Sequence, residues 1–374
     1  MRNPDWSTLP TDLVVRISSL LIADDASDFV RLRAVCRPWR SSTVETKSRA
    51  DCFCPRNWIM LSDPNSSPID VCFFNTSTHK SFSFDLTPYL DTYSLLRSLD
   101  YLFLLKHKIT QGFALLNPFM KSITPLPSKI EPNCANVNAP KRLEDLIVYL
   151  SGVFVTSSST IVLRFILDFL VWTKPGDLSW LYDELNLGSY SYSKLLFYKD
   201  RLLAVTYDDK RLVQIDLANE IPNQLQVEVV FLINELPPTL RKEWYLDLVD
   251  CDGEIILVTF KTFPHRCCES LETYKLDLNE KTYVRSPNLD NHSIFLGIYR
   301  TFSISCEDLP QVPTNSIYLC ALYWGDSDTE CYNLKTKHMT YQYCEPFLNP
   351  SSLVEKLIKC CLRSYWNIVS EDDE

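Results

Sequence analysis

The chain has 374 residues, of which 46% are hydrophobic and 22% are charged, with a formal net charge of -10. This length and composition are those of a globular protein with room for a small module and a large domain. The first 50 residues hold eight Lys and Arg against six Asp and Glu, whereas the other 324 hold 29 against 41. An acidic body argues against nucleic acid as the main partner, because phosphate backbones require a basic surface.

The chain contains 14 cysteines, but its first residues lack the charged and apolar pattern of a secretory signal. The longest strongly apolar stretch, residues 161–172, is broken by Arg164 and Asp168. It is shorter than the roughly 20 residues that a bilayer span requires. We therefore expect a protein of the nucleus or cytoplasm that binds no membrane and keeps its thiols reduced.

The first segment with helical periodicity covers residues 5–21. Pro10 keeps Leu9 extended, and Thr11 and Asp12 suit the first turn of a helix. Apolar residues then recur every three or four positions, which predicts one continuous stripe along the helix. The stripe consists of Leu13, Val14, Ile17, Leu20 and Leu21.

Two shorter helices are expected next. One runs from about Ser27 to Cys36, and Pro38 opens the other, since proline is tolerated in a first turn. The expected apolar residues are Phe29, Leu32, Val35 and Cys36 in the second helix, with Trp39 as the anchor of the third. Some forty residues cannot cover this much apolar surface by themselves. The remaining face either marks a partner site or packs on the domain that follows, and periodicity does not separate the two.

Two motifs in this segment resemble the F-box family. They are Leu9-Pro10-x-x-Leu13 with Ile17 and Leu21, and Arg31-Leu32-Arg33-Ala34-Val35-Cys36-x-x-Trp39-Arg40. The resemblance implies that ten residues contact a Skp-family adaptor or hold the helices that do so. These residues are Leu9, Pro10, Leu13, Ile17, Leu21, Phe29, Leu32, Val35, Cys36 and Trp39. The basic residues Arg31, Arg33, Arg37 and Arg40 are interpreted as a solvated face or as a rim that steers an acidic adaptor.

After residue 55 the period changes to that of short β-strands separated by turn residues. The predicted strands are Asn57–Leu61, Ile69–Asn75, His79–Phe84, Tyr101–Lys106, Gly112–Asn117, Ile147–Leu150, Lys194–Tyr198, Arg201–Thr206, Arg211–Asp216, Trp244–Val249, Glu254–Phe260, Glu272–Asp277, Ile294–Gly297, Ser316–Leu322 and Thr329–Leu334. Two strands around a tight turn recur at residues 195–206 and 245–259, and a third copy starts at 294. A period of about 40–50 residues is typical of a propeller, here of about six blades. A two-sheet sandwich is the alternative, but it seldom needs so long a chain.

Several blocks of the body resemble a plant F-box family whose C-terminal part is a β-propeller, the KIB type. These blocks are Leu116-Asn117-Pro118, Lys174-Pro175-Gly176-Asp177-x-x-Trp180, Glu254–Val258, Phe295-Leu296-Gly297 and Asn315–Tyr318. The chain departs from the family at Arg97–Leu102, where a Gly-rich Ser-His-Gly-Trp block is usual. It also has only seven glycines, few for a fold with many tight turns.

Catalytic and cofactor motifs are absent from the sequence. There is no G-x-S-x-G elbow, no phosphate-binding glycine loop, no H-x-x-x-H helix and no C-x-x-C pair. Gly325-Asp326-Ser327-Asp328 and Asp208-Asp209 are interpreted as turns. The clusters Cys52-Phe53-Cys54 and His265–Cys268 lack the paired spacing of zinc ligands. We expect no metal, no cofactor and no catalytic residue.

The expected architecture is α+β and mostly β. Residues 1–50 form a three-helix F-box domain, residues 51–345 a β-propeller recognition domain, and residues 346–374 a helix within Ser351–Ile368 followed by the acidic tail Ser370–Glu374. The resemblance implies a substrate-recognition subunit of a Skp–cullin–F-box ubiquitin ligase. Its partners would be a Skp-family adaptor, through it cullin and RING subunits, and a protein substrate. A propeller hydrolase or sugar-active enzyme with an incidental helical prefix, and a scaffold without ligase function, are the alternatives.

Overall fold

A computed structural model describes most of the chain. The described residues are 6–24, 26–43, 58–61, 70–99, 101–132, 141–156, 160–165, 169–184, 195–198, 201–205, 211–216, 226–232, 245–262, 268–297, 300–320, 328–343 and 352–362. The sequence features at Cys52 and Cys54, Asp208 and Asp209, His265–Cys267, Gly325–Ser327 and Ser370–Glu374 lie outside these ranges.

The body is built from strands that follow one another in short succession. The strands are β1 Trp58–Leu61, β2 Asp70–Asn75, β3 Ser81–Asp85, β4 Tyr93–Leu99, β5 Leu102–His107, β6 Phe113–Asn117, β7 Ser122–Leu126, β8 Lys129–Pro132, β9 Leu150–Val155, β10 Ile161–Phe165, β11 Phe169–Thr173, β12 Ser179–Glu184, β13 Leu195–Tyr198, β14 Arg201–Val205, β15 Arg211–Asp216, β16 Gln226–Leu232, β17 Tyr245–Cys251, β18 Glu254–Thr262, β19 Cys268–Asp277, β20 Thr282–Arg285, β21 His292–Leu296, β22 Thr301–Ser305, β23 Ser316–Cys320, β24 Asp328–Asn333 and β25 His338–Tyr343.

These strands form six sheets, and each sheet uses one continuous part of the chain. The sheet orders are β1-β2-β3, β4-β5-β6-β7, β8-β12-β11-β10-β9, β13-β14-β15-β16, β17-β18-β19-β20 and β22-β21-β23-β24-β25. Pairing is antiparallel except for β8 with β12 and β21 with β23. Sheets that are consecutive in the chain pack on one another through buried apolar side chains. The fold is therefore a six-bladed β-propeller and is mostly β, as the repeat predicted.

The central strands of the blades are buried on both faces, because each blade lies between two others. All five residues of β6 and all five of β23 are buried. An outer strand such as β20 is mostly exposed, and its side chains do not alternate between buried and exposed. This difference explains why the sequence indicated the inner strands more clearly than the outer ones.

The turns of the propeller need few glycines because side chains cap them. Asn75, His107, Asn117, Asp277 and Asn333 each precede a turn and accept two backbone N–H groups through a side-chain atom, at 2.8–3.2 Å. The residue four positions later has a positive φ of 51–58°. That position usually favours glycine, but here it holds His79, Gln111, Lys121, Lys281 and Lys337.

Most predicted strands are present within a few residues, but one is wrong. The segment predicted as strand Ile147–Leu150 belongs mainly to a 3-10 helix, Leu143–Tyr149, and β9 begins at its end. The apolar run at 161–172 contributes to two strands, β10 and β11. The region that departs from the related family forms the β4–β5 hairpin, where a bulge lies between Leu95 and Arg97. The Arg97 guanidinium donates to the carbonyl of Leu150 at 2.9 Å, which links the second and third blades.

Five α-helices accompany the strands in the described part of the chain. They are α1 Thr11–Asp24, α2 Ala26–Val35, α3 Arg37–Ser42, the single turn α4 Thr87–Leu90 and α5 Leu353–Leu362. The last of these is the helix expected within Ser351–Ile368. Among the described residues, no helix combines the length and the apolar character needed to span a bilayer.

Candidate docking surface on the N-terminal helices

The helices α1, α2 and α3 form a unit that we call the helical unit, residues 6–43. Its start is a 3-10 turn, Trp6–Thr8, and α1 begins after Pro10, whose carbonyl accepts the first N–H groups of the helix. The short α3 has an extended Cys36 at its N-cap (φ -156°, ψ 164°) and a proline in its first turn. Pro38 thus opens the third helix as predicted.

The interior of the helical unit is small. Among its described side chains, the buried ones are Val14 and Ser18 from α1, Phe29 and Leu32 from α2, and Thr43 after α3. The Ser18 hydroxyl donates to the carbonyl of Val15 at 2.7 Å, so this buried polar group is satisfied within its own helix. Val14 and Ser18 face inward and Leu21 is half-buried, whereas Leu13, Ile17 and Leu20 of the same stripe are exposed.

The Arg33 side chain joins α2 to the end of α3. Its Nη1 donates to the Thr43 carbonyl at 3.0 Å, to the Thr43 hydroxyl at 2.7 Å and to the Arg40 carbonyl at 3.3 Å. Its guanidinium also lies 5.7 Å from the centre of the Phe29 ring. The Arg40 Nε in turn donates to the Arg33 carbonyl at 3.1 Å. The sequence suggested that Arg33 belongs to a solvated basic face or a steering rim. The structure shows instead that its side chain holds α2 and α3 together.

The outward face of α1 is apolar and open. Leu13, Ile17 and Leu20 lie at i, i+4 and i+7 and are 43%, 38% and 61% exposed. Val35 at the end of α2 is 60% exposed, and Trp6 before α1 is 63% exposed. We call these five residues the apolar face. A row of exposed large apolar side chains such as Leu13, Ile17 and Leu20 usually marks a binding site for another protein.

The ten residues implied by the family resemblance fall into three groups. Phe29 and Leu32 are buried between the helices and shape the unit from inside. Pro10, Leu13, Ile17 and Val35 are exposed, and Leu9, Leu21, Cys36 and Trp39 are half-buried. Trp39 anchors α3 through its indole Nε1, which donates to the Trp6 carbonyl at 3.0 Å.

Two members of the apolar face were absent from the residues that the resemblance implied. Leu20 belongs to the helical stripe but not to the family motif, so periodicity alone could have added it. Trp6 precedes the helix, and no spacing in the sequence indicates that its ring stays exposed while its carbonyl binds Trp39.

The helical unit contacts the propeller through α2. Asp28 Oδ2 lies 3.5 Å from Lys80 Nζ, in the turn between β2 and β3, and Asp28 Oδ1 also pairs with Arg31 at 2.6 Å. In the part of the chain that the structure describes, no blade covers Leu13, Ile17 and Leu20, which are 38–61% exposed in the presence of the propeller. Of the two readings left open by periodicity, the structure favours an uncovered face.

The thiols in the described part of the propeller are mostly buried. Burial raises the pKa of the Cys251 thiol to about 12 and also raises the pKa values of Cys306 and Cys331. A raised pKa makes a thiol a poorer nucleophile at neutral pH. Among the described residues, no three His, Cys, Asp or Glu side chains converge in a way that could hold a metal ion.

Parts of this chain are similar to known proteins. The model of the family described as KIB1-4 beta-propeller matches residues 44–342. A relative from Arabidopsis thaliana, F-box protein At2g26160, is 42% identical over 52 residues, which cover 13% of this chain and only 14% of that protein. Among solved structures, the chain is similar to the Myceliophteria thermophila Cps50 (Swd1) beta-propeller domain (11% identity, 74% of this chain, 81% of that chain, TM-score 0.32). It is also similar to YCF48 bound to D1 peptide (12% identity, 76% and 74%, TM-score 0.30). The family match covers most of the chain, and this protein therefore belongs to the KIB1-4 beta-propeller family.

Proposed function

We propose that this protein is the substrate-recognition subunit of a Skp–cullin–F-box ubiquitin ligase. The observation that carries the proposal is the apolar face, exposed on a helical unit whose sequence resembles the F-box motifs. The short similarity to an F-box protein supports the same function. In this proposal, residues 1–50 are the F-box domain, residues 51–345 recognise the substrate, and the protein acts in the nucleus or cytoplasm.

The docking step rests on the hydrophobic effect. Transfer of a Leu or Ile side chain from water into an interface contributes about 1.5–3 kcal/mol when burial is complete. Leu13, Ile17 and Leu20 present three such side chains in one row, and Val35 and Trp6 add to the exposed apolar area. A Skp-family adaptor with an apolar groove would cover this row, and Phe29, Leu32 and Trp39 would hold the helices in place behind it.

The catalytic contribution of this chain is proximity. The helical unit would bind the adaptor and, through it, the cullin and RING subunits, while the propeller binds a protein substrate. Holding a substrate lysine near a charged conjugating enzyme raises its effective concentration without chemistry by this chain. The contact between Asp28 and Lys80 joins the two parts, although an exposed ion pair contributes only about 0–1 kcal/mol.

The test is co-purification of the chain with a Skp-family adaptor and cullin from cells. We expect Leu20→Asp, which places a charge in the row, to abolish recovery of both partners, because an unpaired carboxylate would be buried on docking. The matched control is Ile109→Asp, which changes an equally large and 87% exposed side chain on the β5–β6 turn of the propeller. Recovery that is lost in both variants, or in neither, would contradict docking through the apolar face.

A further inference from the structure

Within the described ranges, the first and last sheets of the propeller share no strand. Every strand of the first sheet comes from residues 58–85, and every strand of the sixth comes from residues 292–343. Among the described residues, no ladder of backbone hydrogen bonds therefore joins the two sheets. A ring closed in this way needs another element to fill the seam, by which we mean the boundary between the first and sixth blades.

The C-terminal helix α5 fills the seam. It packs on β1 of the first blade and on β21 and β23 of the sixth. Its side chains from Leu357 to Cys361 are buried without interruption. Leu357, Ile358, Cys360 and Cys361 share one apolar core with residues of both blades. The Cys360 thiol donates to the carbonyl of Met60 in β1 at 3.1 Å. Leu353, Glu355 and Lys356 at the start of α5 are half-buried, so the later part of the helix is the part that lies inside the protein.

The approach of α5 to the sixth blade is unusually close at Gly297. A side-chain carbon at this position would meet Cys361, lying 2.5 Å from its carbonyl oxygen and 2.7 Å from its Cα. Both atoms belong to the backbone of α5, so a rotamer change cannot relieve the overlap. Gly297 therefore permits the docking of α5, and any larger residue would push the helix out of the seam.

Hydrogen bonds also cross the seam directly. The Ser305 N–H donates to the Thr76 carbonyl at 3.1 Å, and His79 Nε2 donates to the Ser305 carbonyl at 2.8 Å. These bonds join one turn of the first blade to the end of β22. Two hydrogen bonds contribute little in water compared with the packing of a buried helix.

We propose that α5 is a detachable clasp that closes the propeller ring, and that its release opens the seam without unfolding the other blades. The helix has ten residues, and a helix of that length is not stable alone in water. It is held by side-chain packing and belongs to no sheet, so it can open as a local unit below the free energy of global unfolding. The integrity of the recognition surface would then depend on the packing of α5.

Thiol labelling of the full chain tests the clasp directly. Cys360 and Cys361 are buried in the clasp, and Cys251 is buried in the fifth blade. The chain is exposed to a maleimide under native conditions, and labelled peptides are identified by mass spectrometry. Each rate is divided by the rate of the same thiol in the denatured chain. We expect Cys360 and Cys361 to react at least about ten-fold faster than Cys251, as local opening requires. Equal corrected labelling rates for Cys360, Cys361 and Cys251 would show that α5 opens only when the whole propeller unfolds, and would overturn the proposal.

A glycine pair provides the matched variants. Gly297→Ala should accelerate the labelling of Cys360 and Cys361 by about ten-fold or more and leave Cys251 unchanged. Gly152→Ala in β9 is the control, because its added carbon would have only Phe154 within 4 Å, at 3.9 Å. Acceleration of all three thiols by Gly297→Ala, or of none, would contradict the clasp. If Gly297→Ala does not fold, the labelling rates of Cys360 and Cys361 relative to Cys251 in the unaltered chain still test the clasp.

Discussion

Replacement of Arg33 by Met tests the account of the helical unit most sharply. The Met side chain keeps most of the aliphatic bulk but removes the guanidinium, which donates to Thr43 and to the carbonyl of Arg40. The change also removes the cation from the Phe29 ring. The bond from Arg40 Nε to the Arg33 carbonyl does not depend on the side chain and should remain.

The magnitude follows from the contacts. Hydrogen bonds that involve a charged group contribute about 1.5–3 kcal/mol, and a cation–π contact about 0.5–1 kcal/mol when it is partly exposed. The three bonds share one nitrogen and Arg33 is only half-buried, so we expect a total loss of about 1–2.5 kcal/mol. At 1.4 kcal/mol for each factor of ten, the opening of α3 should become about 5- to 60-fold more frequent.

Amide hydrogen exchange of α3 in the full chain measures this opening. The matched control is Arg31→Met in the same helix, because the Arg31 guanidinium is largely exposed and pairs only with Asp28 in the contacts described. Such a pair contributes about 0–1 kcal/mol, and we expect little change in α3. Equal exchange in the two variants would refute the structural role of Arg33.

Three further predictions concern the propeller. Lys281→Gly and Lys337→Gly should each raise the free energy of unfolding by about 0.5–1 kcal/mol, measured by urea unfolding, because glycine accepts a positive φ without strain. A lower free energy of unfolding in either variant would contradict the positive φ at that position. Because burial raises the pKa of Cys251 from 9.0 to about 12, the folded state holds this proton more tightly, and the free energy of unfolding should fall as the pH rises from 9 toward 12. The fall should be smaller in Cys251→Ala, and an identical fall would contradict burial of the thiol as a cause. Trp180→Phe should cost about 1–3 kcal/mol in urea unfolding, because the indole N–H that reaches the Pro127 carbonyl at 2.6 Å is lost; an unchanged midpoint would show that this bond contributes nothing.

The sequence predicted the parts of the fold whose residues are buried in a regular pattern. The stripe of α1 and most of the inner strands have periodicities that follow from burial on one or both faces. Pro38 indicates the start of α3 because proline is tolerated in the first turn of a helix. The strands β4, β7, β8, β10, β11, β12, β16, β20, β22 and β25 were not predicted. The residues of β20 and β22 are mostly exposed or half-buried and show no clear alternation, whereas β10 and β11 are buried and were noted only as one apolar run.

Other features depend on contacts between distant parts of the chain. The scarcity of glycine left the turns unexplained, since the side-chain caps at positions such as Asn117 and Asn333 become evident only with the backbone in place. The role of Arg33 depends on Thr43, ten residues away. The closure of the ring brings Cys360 to Met60, a separation in the chain that no periodicity can indicate.

Direct binding of the purified full chain to a purified Skp-family adaptor tests the central claim, that the apolar face of α1 is open for a partner protein. Titration calorimetry at several temperatures should show a one-to-one complex with a negative heat-capacity change, because apolar surface is removed from water. Leu20→Asp should abolish the complex and Ile109→Asp should preserve it. A folded chain that gives no heat of binding, or a complex that tolerates Leu20→Asp, would contradict the account.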